Sequence, residues 1–403
     1  MRLFDIFVVS ASLICIASTQ IQLNSVSTAL NQFALNFLAE TCTQADASLN
    51  LALSPYTIWN VMAIINEGAR KNTELQLERT LGIPSNRTLR EQFRKLQQSL
   101  NKQILKNSNG VSLDTLNAVF TRLEKKINPE YQQLIQKLYN VDVTALDFNN
   151  AKYATKFING KLSNVTRGRV DEIVQEGDLT DAQIFVTSAL FFKGLWNLKF
   201  NISSTKEESF YNDRREVIGT VPMMYNKGLF PLTKVLNDKA FALELPYLDE
   251  KMSMIIILPV STTLQTVVDM LARKSFKTIL DDLERSSAIF RNDPVKVYIP
   301  RFKIKSDLNL NYVLDRMGIQ DVFNSAVADL LGISVDPMHL SRVIHKAEIE
   351  VDEDGTVASS ISAGEIENKQ PPVKIKVNRP FAYFVYDKET QSIVFMGKYS
   401  SPV

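Results

Sequence analysis

Residues 345–372 read HKAEIEVDEDGTVASSISAGEIENKQPP, and the second part of this stretch departs from the rest of the chain. From Asp352 to Pro372 the residues are mostly small or polar, Gly355 and Gly364 interrupt them, and the run ends in Pro371-Pro372. About 20 residues without regular structure inside a compact domain form either a functional segment or a solvated surface loop. Composition alone does not choose between the two.

Working outward, Phe381–Asp387 and Ile393–Tyr399 flank a short polar turn and predict a C-terminal hairpin. Upstream, Val295, Val297 and Ile299 alternate with Lys296 and Tyr298 as in a half-buried strand. Met252–Val260 and Ile184–Trp196 are apolar enough for buried strands. The first half is helical in pattern. Val26, Leu30, Phe33, Ala34, Phe37 and Leu38 recur at spacings of three and four. Ser54-Pro55 has the form of an N-cap followed by a first helical proline. Thr73-Glu74-Leu75-Gln76 has the form of a capping box, and Gly82 and Pro84 end that helix. Leu89–Lys106 and Pro129–Tyr139 are further helices. Helices and strands do not strictly alternate, so the fold class is α+β rather than doubly wound. No repeat or long linker divides the chain, and residues 20–403 are expected as one domain.

The 403 residues are 45% hydrophobic and 22% charged, enough apolar surface for a large core. Lys plus Arg is 46 against 44 Asp plus Glu, a net charge of +2 that leaves no nucleic-acid footprint. Two cysteines and two histidines exclude zinc ribbons, iron–sulfur clusters and disulfide scaffolds, so no metal or cofactor is expected. Arg2, the apolar run Ile6–Ala17 and the small residues Ala17-Ser18-Thr19 have the form of a signal peptide over residues 1–19. The run is short for a bilayer, and no later segment is a membrane span. The expectation is a secreted, extracellular chain, with an uncleaved anchor as the alternative. Cleavage would leave Cys42 alone, as a buried filler or as a reactive thiol. Asn86, Asn164 and Asn201 begin Asn-x-Ser/Thr sequons and are expected glycan sites.

Catalytic patterns are missing. The nearest glycines, Gly160 and Gly168, are eight apart, so there is no phosphate loop, and there is no GxSxG elbow. His339 and His345 are six apart, not a same-face helical spacing for a metal pair. His345 reads as a hydrogen-bonded structural histidine, and the chain is not expected to be an enzyme. Arg87, Arg90, Arg94, Lys95, Lys102 and Lys106 give one helix a basic bias. A glycosaminoglycan could bind there by charge; the alternative is a solvated helix face.

Several motifs, taken in order, carry a family resemblance. They are LALSPYTIWNVMAI from Leu51, Ile158-Asn159 with Thr166, Gly168 and Arg169, and FFKGLW from Phe191 followed by Phe200. Met223-Met224, Glu244-Leu245-Pro246-Tyr247, Ser253-Met254 and Ile299-Pro300-Arg301-Phe302 follow. HKAEIEVDEDGT from His345 and NRPFAYFVYD from Asn378 are the most specific. On these residues the chain resembles the serpins over essentially its whole mature length. The resemblance implies an α+β fold of about nine helices around three sheets, with a reactive loop over about 353–372. It implies a monomer that baits a serine protease with the loop and traps it covalently when the cut loop enters a sheet.

The loop residues agree with that chemistry. Lys369 is the only basic residue between Lys346 and Lys374, so a trypsin-like protease would cut Lys369–Gln370. The family spacing of fourteen residues from Gly355 also reaches Lys369. Aligning on the proline pair instead favours Asn368 and another protease class. In an inserted strand, Thr356, Ala358, Ser360, Ser362 and Gly364 would share one face, and all are small. Val357, Ser359, Ile361 and Ala363 would face outward. Gly355 to Ser360 form the implied hinge. The resemblance places Ser54, Thr57, Ser188 and His345 in a polar cluster at the sheet opening, with Trp196 where the loop first enters. Ser188 stands where the family usually has Asn, and Val357 replaces a common Glu. The alternative is a non-inhibitory member, a carrier or chaperone-like binding protein, in which bulky or charged hinge residues are typical.

Overall fold

In the computed structural model, residues 25–106, 109–166, 168, 172–290, 292–354 and 372–402 are described. Among them lie nine α-helices and three sheets of six, four and five strands. This is the architecture expected from the sequence.

The six-stranded sheet is built around the C-terminal hairpin of Phe381–Asp387 and Ser392–Tyr399, every residue of which is buried. Helix Pro55–Gly68 lies against it and is buried nearly all round, which explains why its sequence is apolar on every face. Its start follows the sequence signal: Ser54 is extended, its Oγ accepts the Thr57 N–H at 3.2 Å, and Pro55 is the first helical residue.

Thr73-Glu74-Leu75-Gln76 does not start a helix. That helix runs Lys71–Leu81, so the tetrapeptide lies inside it. Thr73 Oγ1 instead accepts the Asp329 N–H, and Gln76 Oε1 accepts the N–H groups of Gln320 and Asp321. The polar residues that imitate a cap hold a distant turn. Gly82 does end the helix, with φ +68 in the left-handed region.

The five-stranded sheet has the order Phe302–Asn309, Leu340–Val351, Ile184–Gly194, Val111–Arg122, Val143–Leu146. Its third strand ends two residues before Trp196, at Gly194, where a Cβ would stand 2.4 Å from the Tyr247 ring and only glycine fits. The four-stranded sheet is Val373–Lys376, Val295–Pro300, Val217–Gly228, Lys206–Tyr211. In sequence, the segment that departs from the pattern lies between Leu340–Val351 of the five-stranded sheet and Val373–Lys376 of the four-stranded one.

Candidate functional site: the opening of the five-stranded sheet

Leu340–Val351 and Ile184–Gly194 are neighbours and run parallel, in continuous register from Arg342 opposite Phe185 to Glu350 opposite Lys193, with a one-residue shift between Leu340 and Arg342. A segment returning from the end of Leu340–Val351 between these two strands would run antiparallel to both. Antiparallel ladders are slightly more stable per residue than the parallel one they would replace. This pair is thus a seam where a folded-back segment improves the pairing.

The middle of the seam is held by Ser54, Thr57, Ser188 and His345, all with 0% exposure. Ser188 and His345 are register partners. His345 Nε2 accepts the Ser54 N–H at 3.0 Å, which leaves Nδ1 as the protonated nitrogen, 3.3 Å from the Ser188 carbonyl oxygen. Ser188 Oγ donates to Thr57 Oγ1 at 2.6 Å, and Ser54 Oγ donates to the Val394 carbonyl at 3.0 Å. Ser in place of Asn at 188 therefore closes the cluster by direct contact. One network ties both strands of the seam to the helix start behind it.

Burial pushes the His345 imidazole down to about 4, although the Ser188 carbonyl favours its charged form. The unfolded chain takes this proton near the ordinary histidine value of 6.5. Between these values the unfolded state binds more protons, so stability falls as pH drops from about 6.5 to 4, by about 3 kcal/mol from this group; above that window the group contributes no pH dependence. Thermal melts at pH 7 and 4.5 should show a smaller acid loss for His345→Gln than for wild type. Equal acid losses would remove His345 from this role.

The top of the seam is gripped separately. The Trp196 indole N–H donates to the Asp352 carbonyl at 2.8 Å, and the Trp196 backbone N–H donates to the Asp354 carbonyl at 3.1 Å. Its ring stacks on Tyr247 at 4.7 Å and meets Phe200 edge-on. Lys193 Nζ donates to Glu350 Oε1 and Asp352 Oδ2, each at 2.7 Å. Partial burial opposes charge on Asp352, yet the Lys193 ammonium outweighs it and holds the carboxyl below its ordinary range. Glu353, 5% exposed, accepts from Thr205 Oγ1 at 2.7 Å and lies 3.6 Å from Arg301. Lys193, Thr205 and Glu353 are additions to the residues read from the sequence. A single lysine in an aromatic strand, set against the acidic run EIEVDED, was the available signal for the first.

The reactive-bond residues Lys369 and Gln370 and the hinge residues Gly355, Thr356, Val357, Ala358, Ser359 and Ser360 lie outside the described residues. Cys42 is buried, and burial pushes its thiol up to about 12, the inert filler of the two readings. The basic helix, Arg87–Ile104, spends two of its charges inward: Arg90 pairs with Glu74 and Glu78, and Arg94 pairs with Glu67. Asn86, Asn164 and Asn201 are exposed, and Asn86 and Asn201 use their side-chain oxygens as caps, accepting from Leu89 and Ser203.

The family model described as "Serpin (serine protease inhibitor)" matches residues 28–402, and the chain belongs to that family of serine protease inhibitors. The leukocyte elastase inhibitor of Xenopus tropicalis is 32% identical over 384 residues, covering 94% of this chain and 100% of the relative. That of Homo sapiens is 32% identical with the same coverage. Native protease nexin-1 with heparin superposes with a TM-score of 0.80 at 26% identity, over 94% of this chain and 100% of that one. Uncleaved ovalbumin shares the fold, with a TM-score of 0.81 at 24% identity.

The relatives correct the expected location. Leukocyte elastase inhibitors are a mainly intracellular group, and their full length is matched within 94% of this chain. Secretion, and with it a glycoprotein, is not supported, and the leader expected over residues 1–19 lies outside the described residues.

Proposed function

We propose that the chain is a suicide substrate for a trypsin-like serine protease, which cuts Lys369–Gln370. The acyl-linked protease is then carried along as residues 356–364 enter the seam between Leu340–Val351 and Ile184–Gly194. The observation that carries this reading is the parallel register of those two strands, directly upstream of the bait. The small residues Thr356, Ala358, Ser360, Ser362 and Gly364 suit the inward face of such a strand, because none brings a charge that would be buried unpaired. The protease supplies the chemistry: its serine attacks the Lys369 carbonyl carbon, and the Gln370 amine leaves with the proton. This chain supplies the bait and the strand.

Incubation with trypsin followed by a denaturing gel should show a covalent band of summed mass. N-terminal sequencing of the released fragment should begin at Gln370. Lys369→Glu should abolish both band and cleavage at that bond, since an acidic side chain opposes the acidic specificity pocket. Clean cleavage without the band would make the chain a substrate or carrier, and a fragment beginning at Lys369 would move the bond to Asn368.

A further inference from the structure

Three lysines stand abreast on the solvent face of the four-stranded sheet. Lys227 is the register partner of Lys296, and Lys296 is the register partner of Lys374. One row along, Tyr225, Tyr298 and Lys376 are aligned in the same way. Side chains alternate along a strand, so both rows face away from the buried Val295, Val297 and Ile375. The rings of Tyr225 and Tyr298 are 5.0 Å apart. The Lys374 ammonium sits 4.8 Å from the Tyr298 centroid and that of Lys376 5.7 Å away. Lys376 is also paired with Glu208. Among the described residues no carboxylate forms an ion pair with Lys227, Lys296 or Lys374.

Like charges directly opposite each other weaken a sheet. Three in line on neighbouring strands repel one another, and among the described residues only Lys374 has a partner that offsets this, the Tyr298 ring. The row is also close to the bait along the chain. Lys374 is five residues beyond Lys369, at most about 18 Å of extended chain. A protease domain of about 220 residues has a radius of gyration near 17 Å, so one seated on Lys369 is large enough to reach the row. Tyr298 holds the Lys374 ammonium in place, which reduces the entropy lost on binding.

We infer that the Lys227–Lys296–Lys374 row, flanked by Tyr225 and Tyr298, is a docking surface for the target protease. It selects a protease that carries clustered carboxylates beside its cleft. The inference rests on the reading of the chain as a protease trap, and it adds what chooses among proteases that accept a lysine.

The test compares wild type with the triple variant Lys227→Ala, Lys296→Ala, Lys374→Ala on anionic and cationic trypsin. The first readout is retention on immobilised anionic trypsin whose active-site serine is blocked, so that the bait cannot react. Wild type should elute at about twice the salt needed for the triple variant. The second is the rate of covalent complex formation. With active anionic trypsin the variant should be slower by on the order of tenfold at low salt, while its rate with cationic trypsin stays unchanged and its thermal melt does not fall. Equal retention and equal rates overturn the docking surface. So does a variant that loses retention only on heparin–agarose, which would assign the row to a sulfated polymer. Absence of a covalent band with either enzyme refutes the trap instead, and retention on blocked trypsin still decides the row.

Discussion

Nicking the chain at Lys369–Gln370 is expected to raise its melting temperature by more than about 10 °C. Insertion separates the parallel pair of Leu340–Val351 and Ile184–Gly194, which costs one ladder, and forms two antiparallel ladders in its place. The net gain is roughly one ladder, on the order of ten hydrogen bonds at about 1 kcal/mol each. For a chain of 403 residues the unfolding entropy near the midpoint is about 0.8 kcal/mol/K, so 10 kcal/mol corresponds to about 12 °C. Packing of Val357 and Ile361 against the outer face adds to that figure. Differential scanning calorimetry of the intact and trypsin-nicked protein measures it directly. A nicked protein that melts with the intact one would mean that the cut segment stays out of the sheet. The Trp196 clamp on Asp352 and Asp354 and the His345 network must yield first, so nicking at pH 5 should reach the stable form faster than at pH 7.

Local chemistry made some elements legible in advance. Ser54-Pro55, Pro129–Tyr139, Gly82 and the C-terminal hairpin are specified by residues within one turn of each other, and all stand where the pattern placed them. The Thr73 capping box failed because its side chains serve partners about 245 or more residues away, at Asp321 and Asp329. The seam was illegible for the same reason. Leu340–Val351 mixes Arg342, His345, Lys346 and Glu348 with apolar residues, because one face carries ion pairs and the other the core. The cluster of Ser54, Thr57, Ser188 and His345 became legible only through family resemblance; nothing in their spacing brings positions 54 and 345 together. The lysine row was invisible for want of register, since Lys227, Lys296 and Lys374 are single residues in three separate strands.

Thr356→Arg should convert the inhibitor into a substrate. Position 356 is the first of the small inward set, so a strand entering from the Trp196 end must bury it before any of the others. A guanidinium there would leave water without a carboxylate to meet it, at a cost of several kcal/mol. That cost falls at the start of insertion, when little of the new ladder has formed to offset it. The acyl-enzyme then has time to hydrolyse, and the protease leaves active. Cleavage at Lys369 should proceed at the wild-type rate, since the bait is thirteen residues away. The covalent band should fall below about a tenth of its wild-type yield, a change of 1.4 kcal/mol or more in the partition. Val357→Arg, one position along, should leave the band intact, because the side chain of the next residue points to the opposite face. Gel quantification of both variants against trypsin separates the cases. If Thr356→Arg traps as well as wild type, or if the two variants lose the band equally, the inward assignment of Thr356 is wrong.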